Sequence, residues 1–164
     1  YPETRTSNAA SINLRYYLDY RAAIYGGYRF FSDTWNITAH TFDIGYVHPY
    51  QEKWLFELTL RSYSQTRASF FSNLFPNFDA QNHLASDKEL STFSSNSIGA
   101  GVTYDIGKDK LLFFEKGTFN FYIDHFIYNY DDFLDTSVTV VTPGTEPAYN
   151  FSANVIRLYF SLWF

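Results

Sequence analysis

Four histidines, His40, His48, His83 and His125, are the side chains suited to proton transfer near neutral pH in a chain without cysteine. His83 stands between Asp79 and Asp87 with serines nearby, so the parts of a Ser-His-Asp set lie close together in sequence. Such a set needs its nucleophile on a defined turn, and no nucleophile-elbow spacing accompanies it. The segment reads as a solvated loop. His125 follows Asp124, but adjacent residues of a strand point to opposite faces, so the two cannot form a dyad within one strand. Metal chemistry has no better footing, because there is no His-x-x-x-His pair, His/Cys cluster or EF-hand spacing. Asp131, Asp132 and Asp135, with Glu146 further on, would hold a divalent cation weakly at best, such as one bridging lipopolysaccharide phosphates, and read as an ordinary acidic loop. Gly26-Gly27 and Gly99-x-Gly101 sit inside strand-like stretches, where glycine marks a bend or a close approach and cradles no phosphate. No catalytic residue, cofactor or metal site is assigned.

A second set of chemically active side chains is ordered by parity. Arg15, Arg29, Asp43, Glu57, Arg61, Asp105, Asp124 and Arg157 occupy the less apolar positions of alternating segments. Tyr25, Tyr63, Tyr122, Tyr128 and Tyr159 share those positions. Four cations and four carboxylates on one side imply a lining that pairs its charges, or one that contacts something inserted between its walls. A balanced set also argues against the single-sign rings of a strong ion selector.

The elements that position these residues are strands. Ile156, Leu158, Phe160, Leu162 and Phe164 share one parity, with Arg157, Tyr159, Ser161 and Trp163 on the other. The same alternation runs through Phe119-Phe121-Ile123-Ile127, Ile98-Ala100-Val102-Tyr104-Ile106 and Trp54-Phe56-Leu58-Leu60. It recurs in Phe42-Ile44-Tyr46, around Ile24-Tyr28-Phe30, and in Ile12-Leu14-Tyr16-Leu18, for seven strands in all. His125 falls on the apolar parity, toward lipid or an interfacial girdle.

Composition says what faces what. The chain carries 18 Phe, 15 Tyr and 3 Trp in 164 residues, more large rings than one small core can bury. Yet its mean hydropathy is slightly negative and no stretch has the ~18 apolar residues of a spanning helix. A transmembrane β-barrel reconciles the two, since lipid-facing and lumen-facing residues alternate and average out. A net charge of -5 without a basic stripe argues against a nucleic-acid partner.

Connections alternate in length. Short polar turns are expected at Leu18–Arg21, His48–Glu52 and Gly107–Lys110, and at Phe31–Trp35 on the opposite side. Long polar segments at Thr66–Leu90 and Asp131–Ala148 fall where extracellular loops belong, while short turns suit the periplasmic end. With Phe164 in the periplasm, seven spans place Tyr1 outside, and barrels of this type have even strand numbers. The expectation is that residues 1–164 form the C-terminal part of a larger outer-membrane barrel, with N-terminal strands missing. No signal peptide is present and no methionine opens the chain, so its start is expected to be processed or missing.

Five blocks resemble one family: Tyr1–Ala9, Tyr28–Trp35, Asp87–Ser91, Ala153–Ile156 and Ser161–Phe164. The family is the uncharacterised proteobacterial outer-membrane barrel family called domain of unknown function 3570, and the likeness is to its C-terminal portion. Ser86 stands where a basic residue would be expected. The resemblance implies the bacterial outer membrane and an antiparallel β-barrel but no established activity. Likewise, the closing Ile156, Leu158, Phe160, Leu162 and Phe164 resemble the C-terminal signal that the barrel-assembly machinery reads.

The functional expectation is a non-enzymatic outer-membrane barrel acting as a pore, export conduit or sleeve holding a partner. Its surroundings would be outer-membrane lipid, lipopolysaccharide and the remaining strands of the barrel, with room for a protein partner at the lumen or extracellular loops. The alternatives are an enzyme with a rim site near His83 and a structural anchor for a cell-surface complex.

Overall fold

The structure, a computed structural model, describes residues 1–107 and 116–163. Phe164 and the Lys108–Lys110 part of an expected turn lie outside the described residues. Seven strands form one antiparallel sheet in sequential order: β1 (Ser7–Tyr17), β2 (Ala23–Asp33), β3 (Thr38–Tyr50), β4 (Trp54–Gln65), β5 (Phe93–Asp105), β6 (Lys116–Leu134) and β7 (Ala148–Trp163). Among the described residues the one helical element is a 3-10 turn at Lys88–Leu90. The fold is all-β, as the alternation predicts. Among the described residues β1 and β7 pair only with β2 and β6, so the sheet is open and has two free edges.

Three connections differ from expectation. β2 continues to Asp33 because Phe31 pairs with Ala39 and Ser32 with Thr38, which moves the turn to residues 34–37. There the Asp33 carboxylate accepts the backbone N–H groups of Trp35 and Ile37. β3 runs through Pro49 to Tyr50, because Pro49 lies beside Leu55 near the strand's end, where loss of a donor matters least. β6 extends to Leu134, so the second long loop is residues 135–147. Asp131 and Asp132 are held at the end of β6, because the Asp131 N–H donates to the Thr92 carbonyl and Asp132 accepts the Thr92 N–H.

Register sorts the side chains onto two faces. The rows Leu14–Gly26–Ile44–Leu60–Ile98 and Phe56–Val102–Phe121–Leu158 belong to one face. Even in the central strands that face is bare, with Ile44 and Ile98 each 57% exposed and Leu58 56%. The opposite, polar face is the sheltered one. A soluble sheet shows the reverse, sheltering its apolar face against a second layer; no second layer lies over this one among the described residues.

The upper limit of the apolar face is oblique. Its first polar residue is Asn8 on β1, Ser32 on β2, His40 on β3, Ser62 on β4, Asn96 on β5, His125 on β6 and Asn154 on β7. Asn8 pairs with Ser32, but His40 pairs with Phe30, one row lower. Ser62 pairs with Phe42 and Asn96, and His125 with Ile98 and Asn154. The boundary thus drops three rows across the sheet, with Ile127 and, past a bulge, Leu134 above it on β6.

Only the long-loop end has a conventional core. Ile37, Ala68, Phe70, Phe71, Ala85 and Leu90 bury one another there, with Phe31, Trp35 and Phe133 against them. The loop between β4 and β5 folds onto the polar face, because Phe31 and Ile37 belong to that face. The Gln65 side-chain amide donates to the Glu89 and Ser91 carbonyls and ties the loop down.

Candidate functional site

The polar face carries all eight charged residues assigned to it: Arg15, Arg29, Asp43, Glu57, Arg61, Asp105, Asp124 and Arg157. Three cavities of about 550, 320 and 280 Å³ open on it. Most of the charges are matched. Arg157 donates to Asp124 at 2.7 Å and stacks its guanidinium 5.1 Å from the Tyr122 ring. Asp43 lies directly across from Arg61 at 3.7 Å, and Asp105 is 3.5 Å from Lys116. Glu57 accepts the Tyr25 hydroxyl at 2.9 Å, while Arg15 lies over the Tyr25 ring. Arg29 has no ion-pair partner among the described residues.

Glycines make these contacts possible. Tyr25 reaches Glu57 by lying across Gly45, where a Cβ would come 2.0 Å from the ring. Tyr122 lies across Gly101 in the same way, and Asp124 fills the space over Gly99 beside Thr59. The side chains lie along the wall instead of projecting from it. Of the two readings the sequence left for Gly99 and Gly101, a bend or a close approach, these are close approaches, seats for residues of the neighbouring strand, and Gly45 is a third.

The remaining candidates are dispersed. His83 packs edge-on against Phe70, and among the described residues it makes no hydrogen bond with Asp79 or Asp87. His40 and His48 are hydrogen-bonded to the hydroxyls of Tyr28 and Tyr46, and His125 to Asn154, all on the apolar face. Asp132 pairs with Arg67 at 3.8 Å, Asp135 caps Ser137 and Glu146 accepts the Gly144 N–H. Asp135 and Glu146 therefore serve local turns and Asp132 ties β6 to the connection between β4 and β5; no group of three metal-ligating side chains occurs among the described residues. Ile156, Leu158, Phe160 and Leu162 line the apolar face of β7, beside the unpaired edge.

Two features were missed at the level of sequence. Phe93, Tyr130, Tyr149 and Phe151 join Tyr63 and Tyr128 in an aromatic wall high on the polar face, with Tyr128 and Phe151 stacked at 4.6 Å. Parity within each strand was the available signal, Phe93 with Ser95, Tyr130 with Tyr128, and Tyr149 and Phe151 with Arg157. The other feature is the company of Arg5. It pairs with Asp33 at 2.6 Å and covers Trp35, contacts from outside any alternating segment.

A family model described as a protein of unknown function, DUF3570, matches residues 1–122. Three of the five resembling blocks fall inside that match and the two C-terminal ones beyond it. No curated protein and no solved structure matches the chain.

Proposed function

The chain belongs to the DUF3570 family, and from that premise we propose that its sheet is wall from an outer-membrane β-barrel whose polar face lines a solute passage. The oblique polar rim carries this reading. Three rows are six residues, or about 20 Å along the strands, and six strand spacings are about 29 Å, which sets the apolar band about 35° from the hydrogen-bonded rows. Strands of membrane barrels tilt by about 35–45°. A band level with a bilayer must therefore cross tilted strands at this angle. On β3 the apolar face runs from Phe42 to Tyr50, with His48 its one polar member, and spans about 27 Å of strand, or about 22 Å of height at that tilt, near the ~25 Å apolar band of such barrels.

Free edges at membrane depth cost several kcal/mol per unsatisfied backbone group, so β1 and β7 are paired by further strands in the closed barrel. Of the three non-enzymatic roles, a passage is favoured by the loop of residues 66–92 folding onto the polar face, which narrows a mouth and leaves the wall below it smooth.

Nitroxide labels at Leu14 and Asn154, with the whole protein reconstituted in bilayers, test the reading. The two positions lie on one hydrogen-bonded row, yet Leu14 should report the depth of the hydrocarbon and Asn154 the interface. Equal depths would remove the tilt, and water accessibility at both would remove the membrane. Planar-bilayer conductance separates passage from anchor: stepwise currents, larger when residues 69–86 are replaced by a short linker, support the former. A correctly inserted protein without current would favour a sleeve or anchor.

A further inference from the structure

The cavity of about 320 Å³ beneath the inward-folded loop is the part of the polar face whose charge is least balanced. Arg5, Arg29 and Arg61 line it, against the single carboxylate of Glu89. Arg5 is committed to Asp33. Arg61 meets Asp43 only through Nε at 3.7 Å, leaving the forked end of its guanidinium free. Arg29 has no carboxylate within 4 Å among the described residues. Arg29 and Tyr63 flank the short, buried Thr41 on one row, with Arg61 one position lower on β4. The space over Thr41 is thus bounded by two guanidiniums with donors to spare. The rest of the lining is the apolar Phe31, Ile37, Ala39 and Leu90, with Gln65, whose amide is committed to the Glu89 and Ser91 carbonyls.

Taking the polar face as a lumen wall, as proposed above, we infer that this cavity binds a small organic carboxylate, its head between Arg29 and Arg61 and its short apolar body against Phe31 and Leu90. A guanidinium fork matches a carboxylate in two parallel hydrogen bonds, which a point-charge cation does not. Arg29 on β2 and Arg61 on β4 flank β3 in the wall, whereas Arg5 and Glu89 are brought in by the N-terminal segment and the loop. The site exists only while the loop is folded inward.

Titration of the whole, detergent-solubilised protein with butyrate, acetate and inorganic phosphate, followed calorimetrically, tests this. Butyrate should bind about tenfold more tightly than acetate, since two further methylenes enter an apolar lining. Arg29→Ala and Arg61→Ala should each weaken butyrate about tenfold, Arg29→Lys less, and Lys53→Ala, at a turn on the far end, not at all. Glu89→Gln should tighten binding, because it removes the only acidic lining group; weaker binding in that variant would overturn an anion site. Phosphate binding as tightly as butyrate would overturn the apolar part of the assignment. A protein with the expected label depths that binds no butyrate overturns the site and leaves the barrel. One that binds butyrate but fractionates with soluble proteins overturns the barrel and leaves the site.

Discussion

Tyr25, Tyr122 and Asp124 each fill the volume of a side chain that the neighbouring strand lacks, so glycine at positions 45, 101 and 99 is part of a contact pair. The three seats are not equally forgiving. At Gly45 a new methyl meets the far end of Tyr25, which can swing away with loss of its bond to Glu57. At Gly101 it meets Cδ1 and Cε1 of Tyr122, closer to the backbone and harder to move. Gly101→Ala should therefore cost about 1–3 kcal/mol, more than Gly45→Ala, in urea unfolding of the reconstituted protein. In a Tyr122→Ala background the same change should be nearly neutral; equal costs in both backgrounds would mean the seat is not what the glycine provides. Arg157→Ala leaves Asp124, only 15% exposed at its side chain, without its cation. A loss of about 1–3 kcal/mol follows from an unpaired, mostly buried carboxylate, and Asp124→Asn in the same background should recover part of it.

The connection between β4 and β5 is folded in its own right. Phe70 and Phe71 are buried, and Phe70 meets both Tyr1 and Trp35 edge-on or nearly so. Asn73 links it to the end of β6 by accepting the Leu134 N–H and donating to the Asp132 carbonyl. Its tip is different, for Phe78 is 91% exposed and packs on nothing. Phe70 and Phe71 thus join the core at the loop end of the sheet, and Phe78 does not. Phe70→Ala should open the loop locally, raising its cleavage by protease added to whole cells at least several-fold while the urea midpoint of the sheet stays put. Phe78→Ala should change neither. Strands answer to a different solvent: Leu58→Arg on the apolar face should cost about 2–4 kcal/mol if that face meets lipid near the midplane. Glu57→Gln, one residue away on the polar face, should cost far less in the same assay.

Through β2 to β6 the apolar face is the barer one and the polar face the more sheltered one, an inversion that water does not stabilise over so wide a patch. The same inversion governs the edges. β1 is exposed at all eleven positions and has no partner on one side among the described residues. In a closed barrel its outward-pointing amides would be bonded to another strand. Hydrogen exchange of the reconstituted protein should show amides of residues 11–17 as protected as those of β4. Exchange as fast as an unpaired strand would mean an open edge, and closure by further strands would fall with it.

The amino-acid sequence determined what is local. Alternation of period two assigns Ile156, Leu158 and Phe160 to one face and Arg157 and Tyr159 to the other, because successive Cβ atoms of a strand point oppositely whatever the strand pairs with. For that reason the seven strands and the common face of Arg15, Arg29, Asp43, Glu57, Arg61, Asp105, Asp124 and Arg157 were legible from spacing alone, while Asp33 and Lys116, on the same face, were not singled out. Pairing is another matter, since it depends on register across strands, and register follows from where each turn closes. Asp43 stands opposite Arg61 and Tyr25 reaches Glu57 only because β3 extends through Pro49 to Tyr50 and turns at residues 51–53. The loop core was illegible for a further reason: residues 66–90 have no periodicity, and their aromatic rings find Phe31, Trp35 and Ile37 some thirty residues earlier in the chain. Tertiary structure alone decided the arginine cavity, because Arg5, Arg29, Arg61 and Glu89 come from four separate segments. Only folding brings them within reach of one ligand.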